Sequence, residues 1–389
     1  MKIVPKIRNN MCLTAHPAGC REQVREQIAY VRSKPSIAGP KRVLVIGASN
    51  GYGLAARIVS AFSCGAATAG VFLEKPATAS RTATVGWYNN LAFEKEARKA
   101  GLVAFSLNGD SFSRDVKAET IDRVRGEFGD VDCVIYSIAA PRRIDPDTGE
   151  IYSSVVKPIG QSFAGKTVDV NTGKLSDVVA EPATDDEISD TVKVMGGEDW
   201  MDWIDTLQGK GVLSRGAVTV ALSYAGPEIT SPIYRDGTMG RAKQDLEATA
   251  AVINERFHDL DVRAVISVNK ALVTRASAVI PAVTLYISLL YAVMKRKGVH
   301  EGCIQQMYRL FDDYLYTAEP KVLDPDGRIR LDDWEMRDDV QREVAELWNG
   351  IMKSSPDQVH EIADFRREFL RHHGFEMPGV DYDQDVVDF

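Results

Sequence analysis

Residues 43–53, Val43-Leu44-Val45-Ile46-Gly47-Ala48-Ser49-Asn50-Gly51-Tyr52-Gly53, restrict this chain to few folds. A β-branched apolar run ends in a glycine-rich turn, and a helix-compatible stretch, Leu54-Ala55-Ala56-Arg57-Ile58-Val59, follows at once. Strand, glycine turn and helix in that order build a dinucleotide site: glycines let a pyrophosphate approach the backbone, and the helix N-terminus offers unpaired N–H groups. The spacing is Gly-x3-Gly-x-Gly, which an ordinary tight turn also satisfies. A second apolar run, Ala69-Gly70-Val71-Phe72-Leu73, ends in Glu74, about 20 residues past the glycines, where a carboxylate would bind a ribose 2′-hydroxyl. Glu74 would repel a 2′-phosphate, so NADH is expected rather than NADPH; the adjacent Lys75 pulls the other way, and Glu74 as a solvated strand end is the alternative.

At 389 residues the chain can bury a large core, as one elaborated domain or two. Its formal charge of −8 gives no broad basic surface for nucleic acid. Five scattered cysteines, an odd count, fit a reducing cytosol and a cytoplasmic location. Cys12 and Cys20 flank His16, but no fourth ligand is near, so no metal is expected. The N-terminus lacks the apolar stretch of a signal peptide. The segment from Ala278 to Met294 is apolar enough to suggest a membrane span, yet it is short and carries Pro281, two tyrosines and hydroxyls; a buried helix is expected.

Alternating patterns predict a doubly wound parallel α/β sheet. Its strands fall at Val43–Ile46, Ala69–Leu73, Val103–Leu107, Val131–Tyr136, Gly216–Ser223 and Asp261–Ser267. Helices are expected at Arg21–Ser33, Tyr52–Phe62, Leu91–Lys99, Asp115–Phe128, Trp200–Gln208 and Thr238–Arg256. Residues 141–200 break the rhythm with turn signals and read as an insertion of hairpins. The region 278–389 reads as a helical, substrate-side and C-terminal part, with a small strand pair near Ile329–Leu331.

Ligands of such sheets lie beyond the carboxyl ends of the strands. Gly47, Ala48, Ser49, Asn50, Gly51 and Tyr52, then Leu73 and Glu74, Asp110 and Ser111, Ile138 and Ala139, Tyr224, and Leu272, Val273 and Thr274 should therefore share one crevice. Asp110 would accept from an adenine amino group, and Ile138-Ala139 would pass flat against the adenosine. Singly, each is as readily a plain strand end. Past the fifth strand comes Tyr234-x8-Lys243, the residue types that pair in nicotinamide-dependent reductases, with the lysine on ribose hydroxyls and supporting a phenolate. Nine residues at about 100° each would set the two on opposite faces of one helix. Pro232, Asp236 and Gly237 resolve this by placing Tyr234 on a loop and Lys243 inside the helix, with Gly240 admitting the cofactor.

Taken with Cys12, Ala15-His16-Pro17, Gly19-Cys20, Gly86-Trp87-Tyr88-Asn89-Asn90, Gly109-Asp110, Tyr136-Ser137, Val194-Met195-Gly196-Gly197-Glu198-Asp199-Trp200, Val268-Asn269-Lys270, Leu272 to Ser277 and Asp332-Asp333-Trp334, the chain resembles the FabV class of trans-2-enoyl reductases, which includes the trans-2-enoyl-CoA reductases. The Tyr-x8-Lys spacing separates that class from its relatives. The resemblance implies a single Rossmann-type domain over 1–389 with a lid, NADH dependence, usually a monomer, and an acyl thioester substrate carried by acyl carrier protein or CoA. It implies reduction of the C2=C3 double bond, with Tyr234 stabilising the enolate and donating a proton, and Tyr224 near the substrate carbonyl. The helix 278–294 would then wall an acyl tunnel, and Lys295-Arg296-Lys297 would meet CoA phosphates or an acidic carrier, although helix-dipole complementation explains them equally. A ketoreductase using the same Tyr and Lys, with Ser223 on the carbonyl, and a non-enzymatic NAD sensor are the alternatives.

Overall fold

A computed structural model describes residues 2–8, 10–274, 280 and 282–385. Arg275 to Ser277 of the motif above, and positions 278, 279 and 281 of the expected apolar helix, lie outside these residues. A short hairpin, β1 (Ile7–Arg8) and β2 (Met11–Cys12), precedes α1 (Pro17–Arg32). This helix starts four residues before the expected Arg21 because His16 caps it, Nδ1 accepting from the Gly19 N–H at 3.3 Å, and Pro17 suits the first turn.

Alternation then sets in: β3 (Arg42–Ile46), α2 (Gly51–Phe62), β4 (Ala67–Phe72), α3 (Val85–Lys99), β5 (Ala104–Asn108), α4 (Arg114–Phe128) and β6 (Val131–Tyr136). Two antiparallel hairpins follow, β7 (Arg142–Ile144) with β8 (Ile151–Ser153) and β9 (Phe163–Val168) with β10 (Leu175–Ala180). Next come α5 (Asp185–Met195), α6 (Glu198–Gly209), β11 (Leu213–Ser223), α7 (Thr238–Arg256) and β12 (Arg263–Val268). The remainder is α8 (Val283–Arg296), α9 (Cys303–Arg309), β13 (Ile329–Arg330), α10 (Asp338–Ser354) and α11 (Ile362–His372).

Seven strands form one parallel sheet in the order β13-β12-β11-β6-β3-β4-β5. Val43, Leu44, Val45 and Ile46 are all fully buried, as a central strand covered on both faces requires. One face packs on α1, α2, α3 and α9, through Val24, Leu54, Phe93 and Met307 among others. The other packs on α4, α6 and α7, through Ile121, Trp203 and Leu246. A third apolar cluster gathers α8, α10 and α11 and takes in Leu272, Val273 and Tyr224. Among the described residues no helix is long and apolar enough to cross a membrane.

Two expectations change. Ile329–Arg330 is not half of a separate strand pair; it is the parallel edge strand beside β12. The helix expected from Leu91 starts at Val85, because Asn89 and Asn90, polar residues in a weak helix sequence, are buried against partners that order them. The chain leaves β3 outward to β4 and β5, then returns to place β6 on the other side of β3. That reversal is the switch point where a doubly wound sheet opens a crevice.

Candidate active site

The glycine turn sits at this switch point. Gly47 has φ +88°, and a Cβ there would lie 2.2 Å from the Ser137 carbonyl oxygen past β6. A Cβ on Gly53 would lie 2.0 Å from the Gly47 oxygen. Both glycines therefore close backbone against backbone under the crevice. Gly51, by contrast, would meet among the described residues only Thr274 Cγ2, at 3.8 Å, so the loop past β12 comes down on the start of α2. Asn50 caps α2, its side chain accepting from the Gly51 N–H at 2.9 Å. The Tyr52 side chain turns away, its hydroxyl bonded to the Lys270 carbonyl at 2.8 Å and to Gln306 at 3.1 Å, so Tyr52 can serve a ligand through its backbone. Ile138 stands half-buried beside Gly47 and Ala139 is exposed.

Glu74 is not a solvated strand end. It is buried, and its Oε1 accepts from the Ser49 hydroxyl at 2.9 Å. Asn108 fixes its backbone from both sides, at 2.8 and 2.9 Å. A Cβ on Gly86 would lie 2.2 Å from Glu74 Oε1, and the Asn89 amide reaches the Ser49 carbonyl at 3.4 Å. The Gly86-Trp87-Tyr88-Asn89-Asn90 motif is thus the floor under the glycine turn, a role its sequence does not disclose. Leu73 is exposed. Asp110 accepts from the Phe112 N–H at 3.1 Å, closing a turn over buried Ser111.

A 3-10 turn, Glu228–Ile233, delivers Tyr234 ahead of α7, and Lys243 lies within the second turn of that helix. Loop and helix together bring the two residues to the same end of the sheet, as Pro232 and Gly237 indicate. Gly240 packs closely under the tyrosine loop. A Cβ there would lie 1.7 Å from the Arg235 carbonyl, and its N–H donates to the Tyr234 carbonyl at 2.9 Å, so it seats the tyrosine loop on the helix. The loop is also held from the insertion: the Lys157 carbonyl accepts from the Thr238 N–H at 3.0 Å, and Thr238 Oγ1 donates to the Val155 carbonyl at 2.5 Å.

Tyr234 is buried, and its hydroxyl has no hydrogen-bond partner among the described residues. Burial pushes its pKa above the usual phenol value, so it carries its proton at neutral pH. The Lys243 ammonium donates to the Leu222 carbonyl at 3.4 Å, at the end of β11. Burial lowers Lys243 to about 8, Glu247 opposing. Tyr224 follows β11 directly, and its ring meets Tyr234 edge-on with centroids 5.0 Å apart.

Three further residues surround this pair. Glu335 is fully buried, Tyr286 comes from α8, and Lys270 lies over the Tyr291 ring at 4.7 Å. Spacing gives no sign of Glu335, which stands one residue past the Asp332-Asp333-Trp334 stretch. Other signature residues are structural. Gly196 and Gly197 pack against Asp245 and Thr249 of α7. Asp199 accepts from Lys117 at 2.5 Å and from the Tyr136 hydroxyl at 3.1 Å, pinning α6 to α4 and β6. The basic run that ends α8 is ion-paired: Lys295 with Asp364 and Glu368, Arg296 with Glu343, and Lys297 with Asp339 and Glu343. Helices α10 and α11 supply those carboxylates because they pack on α8. Among the described residues no group of three or more His, Cys, Asp or Glu is placed to hold a metal ion.

Three family models match the chain. The trans-2-enoyl-CoA reductase catalytic region matches residues 81–316, the NAD(P)H binding domain of trans-2-enoyl-CoA reductase matches 2–79, and an enoyl reductase FAD binding domain matches 323–386. The last segment does not fit a flavin: its helices α10 and α11 bury their apolar faces on α8, and Gly374 is closed against His16 and Cys20. An enoyl-[acyl-carrier-protein] reductase [NADH] of Flavobacterium johnsoniae is 55% identical over 386 residues, covering 99% of this chain and 98% of its own. A trans-2-enoyl-CoA reductase [NADH] of Ruminiclostridium cellulolyticum is 52% identical over the same length, covering 99% and 98%. The crystal structure of Clostridium acetobutulicum trans-2-enoyl-CoA reductase in complex with NADH superposes with a TM-score of 0.95 at 43% identity, covering 100% of this chain and 98% of that one.

Proposed function

The chain belongs to the trans-2-enoyl-CoA reductase family, and from that premise we propose that it reduces the C2=C3 double bond of trans-2-enoyl thioesters with NADH. The observation that carries the site assignment is a buried Tyr234 hydroxyl without a protein partner among the described residues, set beside Tyr224 and on the same loop–helix unit as Lys243. The residues fit the cofactor. The Gly47–Tyr52 turn and the start of α2 would hold the pyrophosphate, Glu74 a ribose, Asp110, Ser111, Ile138 and Ala139 the adenosine, and Leu272, Val273 and Thr274 the nicotinamide end. When bound, NADH supplies the hydride added at C3.

Tyr234 faces the negative charge that develops on the thioester oxygen. Its O–H donates to that oxygen, and it is the proton donor for completing the saturated product. Lys243, as an ammonium, donates to the nicotinamide ribose hydroxyls. Acyl carrier protein and CoA both present the same thioester, and the chain is proposed to act as a cytoplasmic monomer. The ketoreductase and sensor alternatives gain no support from the relatives.

With crotonyl-CoA, NADH should be oxidised and NADPH oxidised far more slowly. Glu74→Ala should lower that preference in kcat/KM by roughly tenfold or more, the effect of removing one like-charge contact. Activity on acetoacetyl-CoA alone would move the chain to the ketoreductases, and an unchanged preference in the variant would remove Glu74 from cofactor selection.

Lys243 adds a pH dependence. Its lowered value of about 8 means that the ammonium is present below that pH and lost above it. NADH affinity measured by fluorescence titration should be flat up to neutrality and fall roughly tenfold by about pH 9, as the competent fraction falls. Lys270 is also lowered to about 8 by burial, so the decisive control is Lys243→Met, which should flatten the profile. A flat wild-type profile would take Lys243 out of the cofactor site.

A further inference from the structure

A tyrosine hydroxyl has one proton to donate, and that of Tyr224 goes to Glu335, Oε1 accepting at 3.3 Å. Glu335 lies between β13 and α10, and both of its oxygens are engaged. Oε1 also accepts from the Tyr286 hydroxyl at 2.6 Å, and Oε2 accepts from the Ala271 N–H at 2.6 Å. The Gln341 amide donates to the Tyr286 oxygen at 3.1 Å and to the Glu335 carbonyl at 2.7 Å, which leaves the Tyr286 proton for the carboxylate. Three donors converging on one carboxyl group call for its ionised form.

We infer that Glu335 is a positioning residue for the reduction, acting through Tyr224: it accepts the Tyr224 O–H hydrogen bond, leaves the Tyr224 oxygen as an acceptor beside Tyr234, and leaves Tyr234 as the hydroxyl of the pair free to donate to the thioester oxygen. This rests on the reading of Tyr234 as the donor. Protonating Glu335 undoes the arrangement, because a carboxylic acid holds a proton of its own and releases that of Tyr224 to compete for the same oxygen. The groups facing Glu335 are Tyr224 past β11, Tyr286 of α8, Lys270 past β12 and Asp332 of its own loop. Burial raises its pKa, while Lys270, Tyr286 and the Ala271 N–H draw it back and Asp332 adds to the rise. Activity is therefore present above that pKa and lost as the pH falls through it.

The test is kcat and KM for crotonyl-CoA, with NADH saturating, from about pH 5 to pH 8. The wild type should show an acid limb. Tyr224→Phe should lack it, since no proton remains to be directed. Glu335→Gln should lower kcat roughly tenfold to a hundredfold with NADH affinity unchanged and the acid side flat. The double variant should be no slower than the slower single variant. An acid limb kept in Tyr224→Phe, or effects that multiply in the double variant, would overturn the inference. Should Glu335→Gln not fold, the Tyr224→Phe profile decides alone. Turnover retained in Tyr234→Phe would overturn both readings; an inactive Tyr234→Phe with an acid limb kept in Tyr224→Phe would overturn only this one.

Discussion

Tyr234→Phe is expected to lower kcat for crotonyl-CoA by about 10²- to 10⁴-fold. The dissociation constant for NADH should stay as it is. The loss corresponds to roughly 3–5 kcal/mol of transition-state stabilisation. Phenylalanine keeps the ring, its edge-on contact with Tyr224 and the backbone bonds that end the 3-10 turn. It removes only a hydroxyl that has no partner among the described residues, so no buried group is orphaned and the melting temperature should hold. Loss of rate without loss of binding or stability marks an interaction made in the transition state. Equal loss of NADH affinity would instead place Tyr234 in cofactor binding.

Gly240→Ala carries the second large effect, and its sign is decided by space. In an open helix alanine is favoured over glycine by about 1 kcal/mol. Gly350 in α10 is such a site, with open space where a methyl would stand, and Gly350→Ala should be neutral or stabilising. At Gly240 the methyl would lie 1.7 Å from the Arg235 oxygen, 2.5 Å from its carbon and 3.1 Å from the Tyr234 oxygen. Those are backbone atoms, so the Tyr234–Gly237 loop itself must move. A displacement of about 1 Å can cost a hundredfold in rate. We expect kcat to fall by that order, the melting temperature to drop, and NADH affinity to change little. Wild-type turnover in Gly240→Ala would mean that the tyrosine is not held by this contact.

The sheet is legible in the sequence because its strands β3, β6 and β12 are short runs rich in β-branched residues and buried on both faces, each followed by a glycine or a polar break. Residue order then puts the strand ends in one crevice, and the structure brings Gly47 to Ser137 and Thr274 to Gly51. Helix α3 begins earlier than its pattern indicates because Asn89 and Asn90 read as surface residues, whereas tertiary partners bury them. The basic run Lys295-Arg296-Lys297 reads as free only without the acidic faces of α10 and α11, which lie 42 or more positions away in the chain and are invisible to local pattern. Glu335 escapes notice for the same reason: a single carboxylate becomes chemically meaningful only when Tyr224, Ala271 and Tyr286 close around it. Gly240 does stand out, but a glycine signals a close approach without saying which neighbour approaches.

The edge strand β13 lies beside β12 although some sixty residues separate them in the chain, and the carboxylate that engages Tyr224 follows it at Glu335. A nascent chain leaving the ribosome can pair β3, β4, β5 and β6 early. It cannot finish the surroundings of Tyr224 and Tyr234 until more than four-fifths of the protein has been made. Until then the apolar flank of α8 waits for α10 and α11. Parallel pairings of this sequence separation form slowly and leave apolar surface open to aggregation meanwhile. Catalytic competence is thus a late event in the life of each molecule, and recombinant yield should depend on synthesis rate and temperature more than on the stability of the finished enzyme.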